Sequence, residues 1–323
     1  MPEIARILTA LDSAAGQPAA LATLVKIDGS SYRRPGARLL LLPDGTHTGS
    51  ISGGCLEEDV MERARRVLAS DQPELAVYDT TAENDLVWGV GLGCQGVVRI
   101  FIEQMPVLRP DWIAILRANL HERRDTSLRV DYAGPAPHGT RLAGATTPGE
   151  GSFVETVPAP PALLICGAGD DAQPLARLAK ETGWHVTVAD ARPAYATAER
   201  FPEVDRIIAA SLAEIAASLR LDARTFAVVM THRYVDDREF LRALLPRDFP
   251  YLGQLGPRAR TDRLLAELSP APALLAKLHA PVGLDLGGNT PETVALAILA
   301  EMQTRLTGHT PGHLRDRPGP IHG

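Results

Sequence analysis

The sequence predicts an α/β protein: a small N-terminal α+β domain followed by a domain built on a doubly wound parallel sheet. Three observations lead there. The first half alternates strand-like and turn-like segments around a few helical patterns. The second half alternates short, continuously apolar runs with helical patterns, as expected of parallel strands covered on both faces. Between the halves stands "VPAPPA" at 157–162, whose prolines fix φ and remove backbone donors, marking a linker. The expected organisation is a domain over 1–157, its part from 106 the least patterned, a second domain over 158–307, and a disordered tail over 308–323. A length of 323 residues, 45% of them hydrophobic, suffices for two cores.

In chain order, Ile4, Ile7, Leu8 and Leu11 share one side of an N-terminal amphipathic helix. That stretch has no basic head, apolar run or cleavage site, so a cytoplasmic location is expected. Strands follow at 20–28, 37–45 and 47–54, then a helix from Leu56 to Ala69 with Val60, Ala64, Val67 and Leu68 near one stripe. Strands at 75–80 and 96–105 flank the glycine-rich "WGVGLGCQG". A helix over 111–124 turns Trp112, Ile115, Leu116 and Leu120 inward, and short strands run from there to the linker. The second half offers strands at 162–169, 185–190, 205–210, 226–232 and 251–256, separated by helices at 173–182, 212–219, 236–245 and 258–268. The last helix, 290–306, has Thr290 as its cap, Pro291 at its first position and Ala295, Ile298, Leu299, Met302 and Leu306 facing the core.

Charge and cysteine usage narrow the function. A net charge of −6 argues against nucleic acid or an anionic membrane as the main partner. No apolar stretch approaches the roughly 20 residues that span a bilayer. The three cysteines, Cys55, Cys94 and Cys166, form no CxxC pair and are too few for a disulfide framework, which suggests a reducing compartment.

Three stretches can carry chemistry. "CGAGDDA" sets Gly167, Gly169 and Ala172 in a G-x-G-x-x-A pattern between a strand and a helix, the context of a Rossmann-like dinucleotide site. Asp190 ends the next strand, where a carboxylate would bond a ribose hydroxyl, and Arg192 partly offsets Asp170 and Asp171 at the mouth. His232 lies at the carboxyl edge of the same sheet. A bare scaffold without nucleotide is the competing reading. "SGGCLEED" sets Cys55 at a helix start, where amide donors and Arg33, Arg34 or Arg38 would favour thiolate while Glu57, Glu58 and Asp59 oppose it. Glycines beside Cys55 and Cys94 open space for close approach, against the alternative of inert buried thiols. "SSYRRPGAR" presents Arg33 and Arg34 at a turn, suited to phosphate or carboxylate or else simply solvated.

Six ordered blocks carry a resemblance: "GSSYRRPGARLLLLPDGTHTGSISGGCLEEDV", "GLGCQGVVRIFIE", "CGAGDDAQPLARLAKETGWHVTVADARP", "VVMTHRYVDDREFL", "YLGQLGPRARTDRLL" and "GLDLGGNTPETVALAILAEM". Together they resemble the xanthine dehydrogenase accessory family of the XdhC/CoxI type over nearly the whole chain, apart from 106–160 and the tail. Members similar to this one carry a histidine where this chain has Asp170, and glycine where it has Gln95. The resemblance implies an N-terminal family domain joined to a Rossmann domain. It implies a cytoplasmic maturation factor that binds molybdenum cofactor, supports its sulfuration by a cysteine desulfurase and delivers it to a xanthine dehydrogenase-type molybdenum hydroxylase. Such a protein holds and hands over rather than turning over a substrate, and a homodimer is compatible with it. On this reading Arg33 and Arg34 meet phosphate or oxo groups, Ser52, Gly53 and Gly54 line the contact, and Cys55 or Cys94 serves in metal ligation or sulfur transfer. Gly167, Gly169, Ala172, Asp190, Arg192 and His232 would bind NAD(P) or another nucleotide. The alternative is an NAD(P)-dependent oxidoreductase with His232 or a thiolate as its acid–base group.

Overall fold

The computed structural model describes residues 3–14, 16–79, 96–135, 137–144 and 149–318. The chain divides into two units, Met1–Ala159 and Pro160–Gly323.

The first unit runs α1 (Glu3–Ser13), β1 (Ala19–Gly29), β2 (Arg38–Leu41), β3 (His47–Gly49), α2 (Glu57–Ser70), β4 (Glu74–Asp79), β5 (Gly96–Met105), α3 (Asp111–His121), β6 (Thr126–Asp131), β7 (Gly139–Leu142) and β8 (Ser152–Val157). Five of these strands form an antiparallel sheet in the order β3-β2-β1-β5-β4, and the other three form a second sheet, β7-β6-β8. The long central strand β1 shows why. Its Ala20, Ala22 and Leu24 pack with Val60, Ala64 and Val67 of α2, while Ala19 and Leu21 pack with Ile7, Leu8 and Leu11 of α1 and Trp112, Ile113 and Leu116 of α3. Both faces of one strand are therefore buried, and the alternation of a pleated strand distributes them. The expected inward residue Ile115 is exposed and Ile113 takes its place. The expected strand over 37–45 stops at Leu41, because Gly45 turns the chain with φ +89° and Leu42 accepts from its N–H at 3.0 Å. The expected strand over 47–54 stops at Gly49, where the loop into α2 begins.

The second unit runs β9 (Ala162–Cys166), α4 (Ala172–Glu181), β10 (His185–Asp190), β11 (Arg206–Ala209), α5 (Leu212–Ser218), β12 (Thr225–Val229), α6 (Tyr234–Leu244), β13 (Tyr251–Gln254), α7 (Arg258–Leu268), β14 (Leu278–His279) and α8 (Pro291–Thr307). All six strands are parallel, in the order β11-β10-β9-β12-β13-β14. Counted within the unit this is the 3-2-1-4-5-6 order of dinucleotide-binding folds, and the direction of winding reverses between β9 and β12. Successive residues of β9 feed opposite cores: Leu163 and Ile165 join Leu175 and Ala179 of α4 and Ile298 and Met302 of α8, whereas Leu164 and Cys166 join Phe240, Leu241 and Leu244 of α6 and Leu264 of α7. Thr290 caps α8 by accepting from the Thr293 N–H, with Pro291 next to it. The residues described beyond α8, to 318, are exposed and hold one short turn at Leu314–Asp316.

Phe226 of β12 sits between Trp184, edge-on at 5.0 Å, and Tyr251 at 5.4 Å. Phe226→Ala leaves a void that collapse of these rings cannot fill, and should cost about 3–5 kcal/mol. Urea unfolding should show the transition of the second unit shifted down and that of the first unmoved.

Candidate functional site

Two groups of predicted site residues emerge, one in each unit. In the first, residues 50–56 lead into α2 and bring Ser52, Gly53, Gly54 and Cys55 together. The first turn of a helix leaves N–H groups without helical acceptors. Here they converge on two side chains. Ser52 Oγ accepts from the backbone N–H groups of Gly54, Cys55 and Leu56, each at 3.1 Å, and from the Cys55 thiol at 3.4 Å. Ser52 in turn donates to Glu57 Oε2, while Glu57 Oε1 accepts from Ser50 Oγ at 2.9 Å, Ser52 N at 2.8 Å and Ile51 N at 3.2 Å. Burial acts to raise the Glu57 pKa, but the hydrogen bonds led by Ser52 outweigh it and hold the carboxyl at about 2.

The inner side of the loop is thereby locked, and Gly53, Gly54 and Cys55 are exposed on the outer side. Gly54 has φ +112°, and among the described residues, its two chain neighbours apart, no heavy atom lies within 4 Å of where a Cβ would stand. That open backbone beside a thiol is the room a bulky anionic ligand needs. The amide donors expected to favour a thiolate on Cys55 are aimed at Ser52 and Glu57 instead, because these oxygens lie inside the turn. The arginines are also engaged. Arg33 pairs with Glu3 of α1 at 2.7 Å, and Arg38, buried, pairs with Glu155 of β8. Arg34 lies in the same turn, its carbonyl accepting from Ala37 N at 3.1 Å. Cys94, the expected second thiol, lies outside the described residues. Among the described residues no group of three His, Cys, Asp or Glu side chains could hold a metal ion.

In the second unit Gly167, Gly169, Ala172, Asp190, Arg192 and His232 gather at the carboxyl edge of the parallel sheet, at its point of reversal. Gly167 is required by the protein itself: with φ +120°, a Cβ there would lie 2.6 Å from the Met230 carbonyl oxygen. A Cβ on Gly169 would lie 2.7 Å from Asp171 Oδ1, so the carboxylate occupies the face of Gly169 that a pyrophosphate approaches in a nucleotide-binding turn. Asp171 is held there by His232, whose Nε2 is 2.6 Å from Oδ2, and His232 adopts φ +60° to reach it. Ala172 is buried as the first residue of α4.

Asp190, 3% exposed, is satisfied from within: it accepts from Ala168 N at 2.7 Å, from Arg192 N at 2.8 Å and from the Arg192 guanidinium at 2.7 and 2.9 Å. Desolvation acts to raise its pKa, but these bonds, Arg192 foremost, hold the carboxyl below the usual range. Asp170 pairs with Arg200 at 2.8 Å. Buried Asp237 fixes the neighbouring turn, accepting from Thr231 N at 3.1 Å, Thr231 Oγ at 2.5 Å and Arg260 at 2.6 Å. In this arrangement Asp171 stands where the phosphate of a dinucleotide would approach, and Asp190, the carboxylate placed for its ribose, bonds Arg192 and Ala168. Arg200 and Asp237 are residues that sequence reasoning did not name, and Glu57 and Asp171 it read only as adverse charges. The one available signal was a glutamate five residues beyond a serine at a helix start.

Family models match both units: the XdhC and CoxI family over residues 13–79, and the XdhC Rossmann domain over residues 163–302. A probable xanthine dehydrogenase subunit of Bacillus subtilis is 32% identical over 316 residues, covering 90% of this chain and 94% of that protein. The chain belongs to the XdhC and CoxI family. The molybdenum cofactor insertion chaperone PaoD of Escherichia coli is 28% identical over 294 residues, covering 89% of this XdhC/CoxI chain and 83% of PaoD. A crystal structure of a xanthine dehydrogenase from Bacillus halodurans aligns with a TM-score of 0.80 at 28% identity, covering 98% of each chain. The XdhC/CoxI assignment thus spans the loop at Cys55 and the turn at Gly167 alike.

Two outcomes follow for this XdhC/CoxI chain. Because the Glu57 pKa falls on folding, its stabilising contribution is complete above the ordinary 4.5 and is lost as pH drops toward about 2. Thermal midpoints measured across that window should fall more steeply for the wild type than for Glu57→Gln. Fluorescence titration with NADH and NADPH should show no saturation of the wild type at millimolar concentration. Asp171→Gly should tighten binding roughly tenfold or more by removing a close like charge.

Proposed function

We propose that the protein is an accessory factor that binds molybdenum cofactor and inserts it into a xanthine dehydrogenase-type molybdenum hydroxylase. The observation that carries this reading is the loop at 53–55: open glycine backbone and an exposed thiol on a support fixed by Ser52 and Glu57. Membership in the XdhC and CoxI family, with a relative named as a molybdenum cofactor insertion chaperone, supports it. The cofactor is cargo here, a phosphate-bearing pterin dithiolene of molybdenum. Cys55 supplies a soft sulfur donor for the metal, and the Gly53–Gly54 backbone admits the ligand close to the chain. Arg33 and Arg34 bring positive charge to the phosphate, with Arg33 exchanging its Glu3 partner for the cargo. Cys94 serves as the second thiol. Sulfuration by a cysteine desulfurase takes place while the cofactor is held, and the hydroxylase then receives it. The domains 1–157 and 158–307 divide the work, the first carrying the cargo and the second acting as a scaffold without nucleotide chemistry.

Anaerobic expression in a host that makes molybdenum cofactor, followed by measurement of pterin and molybdenum per chain, tests the reading. The wild type should carry both, and Cys55→Ala should lose metal by about an order of magnitude while keeping the fold. A wild type purified without pterin overturns the proposal.

A further inference from the structure

We infer that Tyr32 is a stacking platform for the pterin ring of the cargo, an inference that rests on the carrier reading above. Tyr32 lies in the turn between β1 and β2 and is 68% exposed, more than any other Phe, Trp or Tyr among the described residues. Its ring lies against the glycine turn. A Cβ built on Gly53 would stand 3.8 Å from Tyr32 Cδ1, 3.9 Å from Cγ and 4.0 Å from Cε1. Near-equal distances to three successive ring atoms place that point over the face of the ring, since an approach in the ring plane would leave the outer two farther away. One face of the phenol ring thus looks toward Gly53, with room for a methyl group between ring and backbone, and the side chain as a whole is largely exposed.

Exposed Tyr195 and half-buried Tyr78 and Tyr234 are covered or tethered. Arg192 lies over the Tyr195 ring at 4.0 Å and Arg263 over the Tyr234 ring at 4.7 Å. The Tyr78 and Tyr234 hydroxyls donate to Asp59 at 2.5 Å and Glu267 at 2.8 Å. Among the described residues nothing comparable covers Tyr32 or takes its hydroxyl proton. An aromatic face left open beside the glycine turn is suited to a planar heteroaromatic guest, because stacking is favourable and tolerant of ring substituents. The pterin is that part of the cargo. Its phosphate would extend toward the neighbouring Arg33 and Arg34, and its dithiolene toward Cys55 on the next turn. Tyr32 is then a positioning residue: it orients the ring while the thiol meets the metal.

The test compares the wild type, Tyr32→Phe and Tyr32→Leu, each purified anaerobically from a cofactor-making host. Pterin per chain and its rate of release on dilution are read from the fluorescence of the oxidised pterin, and thermal midpoints check the fold. Tyr32→Phe should release pterin at the wild-type rate and Tyr32→Leu roughly tenfold faster, with midpoints unchanged for so exposed a position. A loaded wild type with Tyr32→Leu releasing at the same rate overturns the platform and leaves the carrier reading standing. Equal acceleration in both variants also overturns it, because the hydroxyl and not the ring would then matter. A wild type without pterin overturns both.

Discussion

The backbone N–H groups at the entrance to α2 must find acceptors, and the site in the first unit is arranged by how they do so. Ser52 and Glu57 between them take the N–H groups of Ile51, Ser52, Gly54, Cys55 and Leu56. With every inward donor matched, the outward side of the turn is free to be glycine and cysteine. The open space beside Gly54 and the exposure of Cys55 are consequences of that arrangement.

The second unit meets a similar demand differently. Loops leaving the carboxyl ends of parallel strands turn sharply, and their donors are met by buried carboxylates: Asp190 under the glycine turn and Asp237 under the Thr231–His232 turn. Each is balanced by an arginine, Arg192 and Arg260. Unpaired buried charge is costly, so the pairs are required by the fold. What is usual at such an edge is a surplus of donors facing a phosphate. Here Asp171, latched by His232, meets that position with negative charge.

Much of the fold was legible because burial follows local periodicity. The strand over 185–190 and the helix over 258–268 were read to the residue from apolar runs and their spacing. The inward face of α3 was misread at one position because Ile113 and Ile115 both lie next to the stripe through Trp112 and Leu116, and only the neighbouring helix and sheets decide between them. The two-residue strand at Leu278 was too short to have a pattern. At the site, the glycines and Cys55 were visible as composition, but Glu57 read as an adverse charge. Its true part depends on the chain doubling back so that one carboxylate reaches residues 50–52. Likewise the partners of Asp170 and Asp171 come from Arg200 and His232, 30 and 61 positions away in sequence.

Among the described residues the hydrogen bonds that shape the turn at Cys55 close within Ser50–Glu57, eight neighbouring positions, so its form is set locally. A hook of this kind is shaped before anything is held on it. On the carrier reading proposed above, capture then carries no cost for ordering residues 50–57.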